Sequence, residues 1–129
     1  MIDTCEKILD REIKSGRSSL DDESKRVFHL YRFLSYYENG GISGLLYNLS
    51  PAWNDLSELA SITADLNHLA LSKAVEGVHR LVSRGPEEYK GTWEGWINLT
   101  DPNGDLDKYD SQIFDLYEVL WHDLERLTS

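Results

Sequence analysis

Apolar side chains in this chain recur three and four positions apart, and no stretch alternates apolar with polar residues over the length of a strand. Ile2, Cys5, Leu9 and Ile13 predict a first helix, with Gly16 as its stop. Ser19 reads as the next cap, with Asp22 three residues later as a capping-box variant. Val27, Leu30, Tyr31, Leu34 and Tyr37 share one face of the helix that follows, while Phe28 and Phe33 lie off that stripe. A helix apolar this far round belongs at the centre of a core. Glu38-Asn39-Gly40-Gly41 predicts a sharp stop and restart, with one of the two glycines at positive φ. A short helix through Leu45, Leu46 and Tyr47 precedes Pro51. Pro51 suits the first position of a helix carrying Trp53, Leu56, Leu59 and Ala60.

Leu66 to Val82 predicts another helix, with Leu71, Val75, Val78 and Val82 inward and Arg84-Gly85-Pro86 ending it. Tyr89, Trp93 and Trp96 have helical spacing, which Gly91 and Gly95 weaken. Asp101-Pro102-Asn103-Gly104 is a turn, because Pro presets φ and Asn-Gly tolerates the left-handed region. A last helix over about 107–127 places Ile113, Leu116, Tyr117, Leu120, Leu124 and Leu127 on one stripe. Asp115, Glu118, His122 and Glu125 fall opposite it. The expected fold is all-α: a single-domain bundle, residues 1–129, of about five to seven helices with a Gly-Gly helix break.

Length and composition agree with that picture. The 129 residues suit one domain, and the aromatic content argues against disorder. Cys5 is the only cysteine, so there is no intrachain disulfide and no thiolate metal site. No run approaches a membrane span and no apolar leader opens the chain, so a cytoplasmic location is expected. The glycosylation-type triplets at Asn48 and Asn98 are discounted on the same ground. The net charge is −10, and residues 87–129 carry eleven Asp/Glu against three Lys/Arg. Such a surface repels nucleic acid and anionic membranes and attracts basic partners. From charge alone, solubility is the plainer reading.

Catalytic and metal motifs fail residue by residue. Gly40 to Gly44 lacks the glycine that a nucleophile elbow needs at 45, where Leu45 stands. No two of His29, His68, His79 and His122 are four apart, so the zinc-helix pattern is missing. Asp101, Asn103, Asp105 and Asp107 alternate like the start of a calcium loop, but Leu106 and Gln112 replace its essential Gly and Glu. No glycine pattern cradles a phosphate. Cys5 lies on a core stripe, where packing is its better role. Tyr89, Trp93 and Trp96 read as core if buried and as an interface anchor if exposed.

Two segments carry a resemblance. One runs from Tyr36 to Ser50, with Asn39-Gly40-Gly41, an aromatic-containing short helix and Asn48. The other runs from Asp101 to Asp110, an Asp-x-x-Gly acidic turn, and continues through Ile113-Phe114-Asp115-Leu116. Together they resemble a bacterial family of uncharacterised helical domains that includes a DNA-mimic protein. The resemblance spans about residues 20–127, and Ile42 and Gly44 depart from the aromatic and Gln usual in that family. It implies a compact all-α domain and, by analogy, mimicry of DNA's charge toward a DNA-binding regulator.

The resulting expectation is a non-enzymatic interaction protein without cofactor or metal. Its partner would be basic, either a DNA-binding regulator or, in an alternative reading as an immunity-type inhibitor, a toxin or nuclease. Direct nucleic-acid and membrane contact is not expected, and a homodimer is left open. The candidate acidic face comprises Asp101, Asp105, Asp107 and Asp110 at the start of the last helix, with Asp115, Glu118 and Glu125 along it. Asn39, Gly40 and Gly41 form the structural turn.

Overall fold

α1 (Ile2–Ser15) ends where Gly16 turns to φ 84°, as its position in the sequence predicts. The computed structural model describes residues 1–129 and holds seven α-helices, a short 3₁₀ turn and no strand. The buried face of α1 is Cys5, Ile8 and half-buried Leu9. Periodicity puts Ile2 and Ile13 on that face too, but Ile13 is 77% exposed. α1 packs chiefly on one neighbouring helix, so a narrow stripe near its middle is what it buries.

α2 (Asp22–Leu49) is capped by Asp21 rather than Ser19. Asp21 Oδ1 accepts from the Ser24 N–H at 2.7 Å. Ser19 instead ends the 3₁₀ turn Arg17–Ser19, and its hydroxyl donates to the Gly16 carbonyl. The reason is Leu20, which takes an extended conformation and goes into the core, delaying the helix start. Val27, Phe28, Leu30, Phe33, Leu34 and Tyr37 are all buried, so the first part of α2 is the central rod of the fold. At Gly41 the backbone leaves the helix with φ 62° and ψ −157°, a conformation open essentially only to glycine. The chain then resumes as a second helical piece that buries Ile42, Leu45, Leu46 and Leu49.

Pro51 does not begin the next helix. The Ser50–Pro51 peptide is cis, and Pro51 to Trp53 turn the chain before α3 (Asn54–Asp65). α3 extends to Asp65, and Asn67 at φ 68° separates it from α4 (Leu69–Val82), which starts three residues later than periodicity predicts. A left-handed Asn is an ordinary helix terminator. α5 (Trp93–Thr100) forms despite its glycine because Thr92 caps it, Oγ1 accepting from the Gly95 N–H at 3.1 Å.

The expected last helix is two helices, α6 (Asp105–Leu116) and α7 (Val119–Thr128). Between them the hydrogen bonds shorten to i→i+3, with Leu120 N–H on Tyr117 O and Trp121 N–H on Glu118 O. The inward line becomes Leu106, Ile113, Tyr117, Leu120 and Leu124, while Leu116 and Phe114 face solvent. α2 packs on α1, α3 and α7; α4 packs on α3 and α6. No helix is long and apolar enough to cross a membrane.

Candidate acidic interaction surface

The acid-rich C-terminal part divides its carboxylates into two populations. Asp101, Asp110 and Asp123 are used inside the fold. Both oxygens of Asp101 accept backbone N–H groups at the start of α6, from Asp105 at 2.8 Å and Leu106 at 2.9 Å. This satisfies two donors that a helix start otherwise leaves free. Asp110 is half-buried and accepts the Tyr37 hydroxyl at 2.6 Å. Asp123 is buried between His68, at 2.6 Å, and Arg126.

Glu87, Glu88, Glu94, Asp105, Asp107, Asp115, Glu118 and Glu125 are the other population. All eight are exposed, and none lies within ion-pair distance of a cation. Asp105 and Asp107 lie in the first turn of α6, where the helix dipole favours negative charge. Asp115, Glu118 and Glu125 keep to the solvent side of α6 and α7, as the period predicts. Of the seven candidate face residues, Asp105, Asp107, Asp115, Glu118 and Glu125 are therefore free, and Asp101 and Asp110 are structural groups. Asn39 and Gly40 are exposed beside the break at Gly41.

Three acid sites that sequence patterning did not single out hold the bundle together. Glu38 Oε2 accepts from the Tyr117 hydroxyl at 3.1 Å and the Trp121 indole N–H at 3.2 Å, tying α2 to both final helices. Asp55 is buried and accepts from Arg17 at 2.7 Å and from Arg32. Burial pushes the Asp55 carboxyl up, but the hydrogen bonds from the two arginines outweigh it, so the net shift is downward. Both guanidinium groups also lie over the Phe28 ring, at 4.5 and 4.6 Å. His29 is buried beside them, and its pKa falls to about 4, first through burial, which the Asp55 carboxylate partly offsets and the arginine charges reinforce. Asp123 is the third site. Each has at least one partner far away along the chain, which no local pattern announces.

The aromatic residues form a separate feature. Trp53, Trp96 and Trp93 stack in series, and Trp96 is buried whereas Trp53 and Trp93 are half-buried. Tyr89 precedes α5 rather than lying on its face. No three His, Cys, Asp or Glu side chains converge in a metal-ligand arrangement, and Cys5 is buried, which pushes its thiol pKa up.

Fold and surface together define a compact, acid-rich all-α domain whose C-terminal helices carry exposed, unpaired carboxylates. Residues 18–128 match the family model described as DMP19-like protein, and the chain belongs to that family. No curated protein and no solved structure matches the chain.

Proposed function

We propose that this domain works in the cytoplasm as a non-enzymatic, acidic interaction protein, a DNA mimic that occupies the binding surface of a basic DNA-binding regulator. The observation that carries the reading is the division of carboxylates described above. Asp105, Asp107, Asp115, Glu118 and Glu125 are exposed and unpaired on consecutive helices, in a chain with a net charge of −10. Rigid helices hold these charges at fixed spacings, as a duplex holds its phosphates. A basic groove that releases counterions on DNA would gain from the same exchange here. Membership of the DMP19-like family supports the reading.

The test begins with capture of the partner from native lysate and its identification by mass spectrometry. The partner is then titrated with the wild-type domain and with a triple variant, Asp115→Lys, Glu118→Lys and Glu125→Lys, whose net charge is −4 rather than −10. Wild-type affinity should fall steeply with salt, and duplex DNA should compete. The triple variant should bind at least about tenfold more weakly while keeping its helical spectrum, since exposed substitutions usually cost little stability. Salt-independent binding, or undiminished binding by the variant, overturns the proposal.

A further inference from the structure

The chain recognises arginine internally with one aromatic face and one carboxylate: Phe28 under two guanidinium groups, and Asp55 accepting from both. The same pair of elements stands open at the surface with no arginine in it. Trp53 and Trp96 stack with ring centroids 5.5 Å apart, and Trp96 and Trp93 with centroids 5.2 Å apart and planes 13° from parallel. Tyr47 meets Trp93 edge-on at 5.9 Å and is 66% exposed. The rings line a cleft of about 540 Å³, a size typical of ligand sites.

The cleft is built rather than incidental. The Trp96 indole N–H donates to the Pro86 carbonyl at 3.0 Å, which fixes the middle ring. A Cβ on Gly85 would run into the Trp96 ring. Cβ atoms on Gly91 and Gly95 would run into Tyr89. Glycine at these positions lets backbone and rings approach closely enough to form the walls. Glu87 is the one charged residue lining the cleft; no Lys or Arg does. Glu87 is exposed and has no ion-pair partner.

We propose that this cleft receives an arginine side chain of the basic partner, its guanidinium lying against the Trp93 and Tyr47 rings and donating to Glu87. This rests on the reading of the partner as a basic protein and names the contact that anchors it. An aromatic face attracts a cation through its quadrupole, and a planar guanidinium can stack and pair with a carboxylate at once. The negative field of the chain excludes anionic occupants and concentrates cationic ones. An arginine anchored between aromatic walls is also the residue type that dominates interface energetics.

Three of the four tryptophans, Trp53, Trp93 and Trp96, belong to the cleft, so intrinsic fluorescence reads its occupancy. The probe is a blocked peptide of alternating glycine and arginine, titrated against the same peptide with citrulline in place of arginine. The arginine peptide should change the emission saturably, and the neutral analogue should bind at least about tenfold more weakly. Glu87→Gln and Tyr47→Ala, both at exposed positions, should each weaken the arginine peptide by about three- to thirtyfold. Equal binding of the citrulline peptide, undiminished binding by Glu87→Gln, or preference for a proline-rich peptide overturns the proposal. The triple Lys variant of α6 and α7 separates this site from the acidic face. If the arginine peptide fails while partner binding still needs the acidic face, only the cleft assignment is lost. If the peptide binds as stated while the partner ignores the acidic face, the cleft stands and the DNA-mimic reading fails.

Discussion

The Tyr37 hydroxyl donates to Asp110 at 2.6 Å across a sequence separation of 73 residues, joining the central helix to the middle of α6. The next residue, Glu38, accepts from Tyr117 and Trp121. Tyr37 also packs edge-on against Tyr117, with ring centroids 5.0 Å apart. The last turn before the Gly41 break therefore docks α6 and α7 by two successive side chains, one donating and one accepting.

Removing the Tyr37 hydroxyl should be costly because it leaves the Asp110 carboxylate half-buried without that donor. Tyr37→Phe should lower unfolding free energy by about 1–3 kcal/mol in urea titration. The same contact sets an alkaline limit. Burial, and then the Asp110 carboxylate, push the Tyr37 phenol above the usual tyrosine range. A folded pKa raised in this way stabilises fully below about pH 10, where the unfolded tyrosine keeps its proton, and the stabilisation fades as pH climbs above that. Melting temperature should therefore decline above about pH 10, and less steeply in Tyr37→Phe.

Gly40 and Gly41 are adjacent but should respond differently. Gly41→Val forces a branched side chain into φ 62°, ψ −157° and should destabilise by about 1–3 kcal/mol. Gly40 is not at positive φ, and a methyl group added there would meet open space, so Gly40→Ala should be neutral or stabilising by up to about 1 kcal/mol. Thermal melts of the two variants check this. Equal behaviour would contradict a break that turns on Gly41 alone.

His29 should make the fold sensitive to mild acid. Its folded pKa of about 4 lies below the ordinary histidine value, so the unfolded chain takes up the proton first. Stability from this group is complete above about pH 6.5 and is lost as pH falls toward and through 4. The loss should be on the order of 1–3 kcal/mol. In His29→Gln, the slope of unfolding free energy between about pH 6.5 and pH 4 should flatten.

The two carboxylate populations should separate by measurement. Asp101→Ala removes a cap that accepts two backbone N–H groups and should cost about 1–2 kcal/mol of stability. Its effect on partner binding should be small. Asp115→Asn should do the reverse, leaving the melt unchanged and weakening binding in low salt. A melt lowered by Asp115→Asn as much as by Asp101→Ala would remove the distinction.

Much of this was legible in the chain as written. Helical class, the stop at Gly16, the break at Gly40-Gly41 and the turn before α6 all follow from local periods and local turn chemistry. The outward direction of Asp115, Glu118 and Glu125 does too, because a helix decides its faces by period. The family resemblance was carried by two short segments, and its span agrees closely with the residues that match the family.

What the sequence determined by itself is which stretches are helical, where glycine must interrupt them, and that negative charge gathers in the C-terminal third. Tertiary structure alone decided which of those charges are free. Asp107 and Asp110 look alike in sequence, yet Asp110 accepts the Tyr37 hydroxyl from 73 residues away and Asp107 is open to solvent. It also decided that Leu116 faces out, since the 3₁₀ turn at Tyr117 changes the face presented inward. Trp53, at the entrance to α3, meets Trp96 of α5 across 43 residues, a pairing that only the tertiary structure makes. The physical reason is range. Periodicity, capping and φ limits act within a few residues, whereas the choice of a hydrogen-bond or stacking partner forty or eighty residues away is made by the whole core as it closes.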